Sequence, residues 1–137
     1  MLRILTVRQP WASLIVMGHK PVENRTWRTD YRGDVAIVAG RAIDIGDRAI
    51  EGVQRCLAPM IDRKAAEEAI FSLPRGGIIG LAELWDEKPT MDSWWFTGPN
   101  GLLLRNPRRL KALLPFRGSL VLGKATVQLE QYIRAQL

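Results

Sequence analysis

The densest concentration of residues able to do chemistry is Gly18-His19-Lys20-Pro21-Val22-Glu23-Asn24-Arg25-Thr26-Trp27. Gly18 marks a turn from which Lys20 can reach outward. The residues after it alternate with the period of a strand, which places Glu23, Arg25 and Trp27 on one face. Lys, Glu and Arg at one sheet edge fix each other's orientation and protonation, and together they suit an anionic or hydrogen-bonding ligand. If the group is catalytic, Lys20 and Glu23 form the working pair and Arg25 stabilises developing charge. The same residues also fit an ion-pair cluster on an edge strand, contributing at most about 1 kcal/mol per pair.

Aromatic residues give a second signal. Of the ten, five are Trp, and they neighbour cationic or polar residues in Arg8-Gln9-Pro10-Trp11, Arg25-Thr26-Trp27-Arg28 and Ser93-Trp94-Trp95-Phe96. Unstacked bases require such interleaving, since stacking on an aromatic face is worth about 1–3 kcal/mol per base. Most Trp side chains belong to cores, so one or two of the five are expected to line a pocket. The densest basic run is Arg105-Asn106-Pro107-Arg108-Arg109-Leu110-Lys111, followed by Arg117. It reads equally as a set of phosphate contacts or as a solvated loop.

Other chemistries lack their residues. His19 is the only imidazole and Cys56 the only thiol, which removes an internal disulfide and the usual Cys/His zinc site. No phosphate-binding loop, nucleophile elbow, zinc-peptidase or dinucleotide motif occurs. No cofactor is implied, and no spacing of Asp or Glu argues for a metal. The apolar stretches, such as residues 12–17, fall short of the roughly 20 that span a bilayer, and Met1-Leu2-Arg3 does not open a secretory signal. A cytoplasmic protein away from membranes is therefore expected.

The net charge of +6 is unevenly distributed. Residues 1–41 carry seven basic and three acidic groups, residues 42–95 six and ten, and residues 96–137 seven and one. If the two ends meet in space, the protein has a basic face and an acidic back, with nucleic acid first among its anionic partners.

The elements that must position these residues follow from periodicity and turn signals. Strands are expected at 3–7, 22–28, 35–39, 77–85, 101–105 and 118–122, and helices at 10–17, 47–57 and 62–73. Asp47 and Asp62 are N-cap candidates, Ile50, Val53 and Leu57 lie at helical spacing, and Pro59 ends the first of the two central helices. The tail at 126–136 fits a short amphipathic helix that would use Val127, Ile133 and Leu137. Short strands with the helices gathered in the middle favour an α+β domain built on a small barrel over a parallel α/β sheet. At 137 residues a single domain is expected over 1–137, with a helical insertion at about 44–73.

Gly18-x-Lys20-x-x-Glu23-x-Arg25 resembles the signature of the ASCH family of PUA-like domains. The flanks are similar too: Leu5-Thr6-Val7-Arg8-Gln9-Pro10-Trp11 matches the family's opening strand and helix, and Trp27-Arg28-Thr29-x-Tyr31-Arg32-Gly33 the segment after the signature. Ser93-x-Trp95-Phe96-x-Gly98-Pro99-x-Gly101 resembles its aromatic-glycine motif, and Arg117-Gly118-x-Leu120 its closing strand. The resemblance implies a PUA-like β-barrel with surrounding helices, and a cleft that recognises RNA or a modified nucleotide. Lys20, Glu23 and Arg25 would form the floor of that cleft, and Gln9, Trp11, Trp95 and Phe96 its walls. Phosphates would be held by Arg25, Arg28, Arg32, Arg105, Arg108 and Arg109. Some small ASCH-like proteins hydrolyse acetylated cytidine, and ribonuclease activity also occurs in the family. The amidohydrolases carry Thr three residues after the Lys, where this sequence has Glu23, and a carboxylate does not simply replace a hydroxyl.

Overall fold

The computed structural model describes residues 1–56 and 61–137. Its elements are β1 (Arg3–Gln9), α1 (Trp11–Val16), β2 (Val22–Arg25), β3 (Gly33–Ile43), α2 (Asp47–Cys56), α3 (Arg63–Ser72), β4 (Gly77–Lys88), β5 (Asn100–Pro115), β6 (Gly123–Lys124) and α4 (Val127–Ala135). The strands form a six-stranded sheet in the order β2-β5-β4-β3-β1-β6. Every pairing is antiparallel except β1 with β3. The architecture is α+β.

The apolar run in β3 explains how the layers hold together. Val35 through Ala39 are fully buried, and alternate side chains leave opposite faces of the sheet. Val35, Ile37 and Ala39 pack with Leu5, Ala12 and Ile15 on the α1 side. Ala36 and Val38 pack with Leu2, Ile78 and Ile133 on the α4 side. A strand covered on both faces reads as continuous rather than alternating hydrophobicity. Separately, α2 and α3 join through Ala49, Ile50, Val53, Ala66 and Ile70, against which Trp11 also packs.

The sheet does not close into the expected barrel. β2 has four residues and β6 only two, and they stand at opposite edges, so neither is long enough to give the other a ladder. β6 pairs only with Arg3 and Ile4. Beyond that point the outer edge of β1 lacks a partner strand among the described residues, and the Thr6 carbonyl accepts a hydrogen bond from Arg25 Nη2 of β2 instead. A side chain thus bridges a seam that backbone pairing would have sealed.

Other boundaries also shift. The basic run at 105–111 is part of β5, because the β4–β5 register slips between Leu81/Glu83 and accommodates Asn106 and Pro107 as a bulge. Asn106 takes a left-handed φ of 53°, and a bulge tolerates a Pro that has no N–H to donate. The strand expected at 118–122 is a loop tied to β1 by the Ser119 N–H donating to Thr6 Oγ1. Asp62 caps α3 through the Ala65 N–H, and Thr126 caps α4 through the Leu129 N–H. Of the tail's three apolar candidates only Ile133 is buried, while Val127 and Leu137 are exposed. Leu57 and Pro59 lie outside the described residues. Among the described residues, no helix is long and apolar enough to cross a membrane.

Candidate functional site

A cleft of about 690 Å³ opens at the unpaired edge of β1, lined by β2, by the end of β3 and by Trp95, Thr97 and Gly98. Its floor is built by the turn from α1 into β2. Gly18 turns with a φ of +87°, a conformation that favours glycine. The Lys20 N–H then bonds the Leu14 carbonyl, and the Lys20 side chain folds back under the strand, 5% exposed. Its ammonium donates to Glu23 Oε1 at 2.9 Å and to the Val22 carbonyl. Glu23 Oε2 accepts from Arg25 Nε at 3.0 Å. Glu23 and Arg25 therefore share a face, as the alternation required. Two cations and one carboxylate lock each other in place, a charge-assisted arrangement with little freedom left.

Trp11 and Trp95 form the wall. Their rings meet edge to face at 6.3 Å, and Trp94 meets Trp95 the same way at 4.8 Å. Gly52 of α2 lets the helix press on both walls, since a Cβ there would lie 3.2 Å from Trp11 and 3.3 Å from Trp95. Trp11 Nε1 donates to Asp44 Oδ2 at 3.0 Å, and the Lys20 ammonium sits 5.5 Å from the Trp11 ring centre. Asn24 clamps the aromatic-glycine segment. Its Nδ2 donates to the Trp95 carbonyl at 3.0 Å, and its Oδ1 accepts from the Thr97 and Gly98 N–H groups at 2.9 and 3.1 Å.

Arg8, Arg41 and Arg48 also reach the cleft. With Lys20 and Arg25 they make five cations against two carboxylates, Glu23 and Asp44. None of these three arginines forms an ion pair among the described residues. Arg48 stacks on Trp94 at 4.1 Å and donates to its carbonyl. A concavity with this excess of positive charge and two aromatic edges suits a planar group carrying phosphate.

The ASCH domain model matches residues 5–94. The chain belongs to the ASCH domain family. It is 28% identical over 135 residues to Activating signal cointegrator 1 of Homo sapiens, covering 93% of this chain and 23% of the human protein. The Mus musculus protein of the same name is 54% identical over 35 residues, which are 26% of this chain and 6% of that one. The ASCH chain thus spans less than a quarter of the length of these curated relatives. The crystal structure of ASCH from Zymomonas mobilis superposes with a TM-score of 0.60 at 15% identity, covering 98% of this chain and 94% of that one. A mutant of that protein gives 0.59 at 14% identity, covering 98% and 96%. These solved structures share its fold.

Not every residue singled out from the sequence reaches the ASCH cleft. Gln9 is wholly buried, with Nε2 donating to Ser13 Oγ and the Pro74 carbonyl and Oε1 accepting from the Ser13 N–H. Its amide is spent on holding α1 and does not form a cleft wall. The Phe96 ring lies against Gly98 and Gly101 instead of in the cleft, within 3.3 and 3.0 Å of where their Cβ atoms would be.

Of the six phosphate candidates only Arg25 lines the cleft. Arg28 and Arg32 flank Glu87, Arg105 holds Glu83 at 3.1 Å, and Arg108 holds Asp34 at 2.6 Å. Arg109 borders a separate hollow of about 260 Å³ beside Ser13 and Met17. The hydrogen bonds from Arg108, against the opposing effect of burial, hold the Asp34 carboxyl below the usual range. Burial alone would raise Glu87, yet hydrogen bonds from Asn100 and the Thr29 N–H, with Arg28 and Arg32 nearby, hold it low. His19 is exposed and does not line the cleft. Burial pushes the Cys56 thiol up, away from the reactive thiolate. Among the described residues no group of three or more His, Cys, Asp or Glu is gathered for a metal.

Asn24, Arg41 and Arg48 line the cleft although no local sequence pattern marks them. Asn24 sits between two conspicuous charges and points the other way, toward partners more than 70 residues distant. Arg48 belongs to the segment whose net charge is negative, so a count by segment hides it.

Proposed function

We propose that the cleft binds RNA or a modified nucleotide in preference to DNA, taking an unpaired base against Trp11 and Trp95. Phosphates are held by Arg8, Arg41 and Arg48. Lys20, Glu23 and Arg25 present a fixed hydrogen-bonding floor that reads the base edge or the ribose. The observation carrying this reading is the excess of five cations over two carboxylates around an aromatic wall in a cleft of about 690 Å³. Stacking contributes about 1–3 kcal/mol per base, and each phosphate contact to a single strand adds roughly 0.7 to the salt slope. Titration of a labelled single-stranded RNA by fluorescence anisotropy should show affinity falling steeply with salt, with a slope of roughly −2 for three contacts. Trp95→Ala should weaken binding about thirtyfold, the middle of the stacking range at about 2 kcal/mol. Absence of binding even at low salt would overturn the reading.

One observation favours a second reading, hydrolysis of a modified nucleoside or of an RNA phosphodiester. Lys20 and Glu23 are 5% and 8% exposed, and a buried ion pair is costly enough that function is a common reason to keep one. Both carboxylate oxygens of Glu23 already accept hydrogen bonds from cations, so a substrate would have to displace one of them. Incubation with acetylated cytidine and with mixed-sequence RNA tests it. Turnover lost in Lys20→Ala supports it, and equal turnover by both proteins removes the site.

A further inference from the structure

The cleft does not end at Arg41. A second hollow of about 810 Å³ shares Thr6, Gly40, Arg41, Ser119 and Leu120 with it and continues to Phe116 and Arg117. The two are therefore one groove with a junction. At the junction the Arg41 guanidinium lies along Gly76, 3.5 Å from where a Cβ would be, and Gly76 holds a φ of +85° that favours glycine there. Leu120 stands at the same junction 89% exposed, an apolar side chain raised between two basic positions. Arg117 is exposed and, like Arg41, has no carboxylate partner among the described residues.

We infer that this second hollow is the path of the neighbouring nucleotide, so that the ligand class is single-stranded RNA of two or more nucleotides and not a free nucleoside or mononucleotide. The inference rests on the base-binding reading of the cleft. One base occupies the Trp11–Trp95 cleft, the next phosphodiester passes between Arg41 and Arg117, and the following base lies on Leu120. A mononucleotide fills the first hollow and gains nothing from the second. A strand gains an added phosphate contact and an added apolar platform, the combination by which single strands are held without sequence readout.

Two probes separate the hollows: cytidine monophosphate and a five-nucleotide oligocytidylate, each titrated by calorimetry against the wild-type chain and against Arg117→Ala, a residue that lines only the second hollow. The expected result is pentamer binding at least tenfold tighter than monophosphate binding. Arg117→Ala should weaken the pentamer about fivefold, reduce its salt slope by roughly 0.7, and leave the monophosphate within twofold. Equal affinity for the two probes, or equal losses on both in Arg117→Ala, overturns this inference while leaving the cleft itself intact. Wild-type binding of neither probe overturns the base-binding reading and this one with it.

Discussion

At one end of the sheet Arg105, Arg108 and Arg134 each lie against a carboxylate, Glu83, Asp34 and Asp34 again; around the cleft Arg8, Arg41 and Arg48 lie against none among the described residues. Both groups contribute to the same net charge. Only the second offers a phosphate an uncompensated cation, because a guanidinium already neutralised at hydrogen-bond distance gains little by exchanging one anion for another. The paired group does structural work. Asp34 of β3 accepts from Arg108 of β5 and from Arg134 of α4, tying a central strand to its sheet and to the last helix. Available charge, and not total charge, separates a binding face from a scaffold.

The largest effect should come from Glu23, the cleft carboxylate that pairs with both Lys20 and Arg25. Glu23→Ala leaves the Lys20 ammonium, its side chain 4% exposed, with no counter-ion. Breaking a buried pair in this way costs about 3–5 kcal/mol, read as a lower midpoint in urea unfolding. Asp34→Ala at the far end removes two pairs, with Arg108 and with Arg134, in which the Asp34 side chain is about a fifth exposed, and about 1–2 kcal/mol is expected there. Equal losses would erase the distinction between the two regions. Glu23→Gln, which keeps the shape and one acceptor, should fall between the two.

Next in size is a contrast in binding. Arg48→Ala should weaken single-stranded RNA about fivefold and lower the salt slope by roughly 0.7. Arg105→Ala, whose guanidinium is engaged by Glu83 and stacked 4.9 Å from the Trp85 ring centre, should leave affinity within twofold. A loss in Arg105→Ala as large as in Arg48→Ala would show that pairing does not silence an arginine here.

This contrast also explains what the sequence could disclose. The floor of the cleft was legible because strand alternation is local: Glu23 and Arg25 are two residues apart, and Lys20 lies three before Glu23. Trp11 and Trp95 were legible only through the resemblance to the ASCH family, because cationic neighbours mark Trp27 as well, which does not line the cleft. The phosphate set was not, because what decides an arginine's availability is its partner, and Arg108 finds Asp34 at a separation of 74 residues. Barrel closure was equally out of reach, since it depends on the lengths of two edge strands and not on the apolar pattern of the central ones. Asn106-Pro107 signals a turn in any local reading, yet long-range pairing with β4 turns it into a bulge.

The smallest predicted effect is on pH, and it isolates the scaffold end. Asp34 is held below its usual range chiefly by hydrogen bonds from Arg108, and Glu87 is held low by Asn100, the Thr29 N–H and the nearby arginines against the cost of burial. A carboxyl with a depressed folded-state pKa binds its proton more readily in the unfolded chain. Its stabilisation is complete above the unfolded value of about 4 and is lost as pH falls through the folded value. The thermal midpoint should therefore stay level from pH 7 to 5 on this account and decline below about pH 4. In Asp34→Asn, which has no charge to lose, that decline should be shallower. An unchanged acid limb in Asp34→Asn would mean that the Arg108 and Arg134 contacts contribute nothing measurable, and the far end would then be as free to receive phosphate as the cleft.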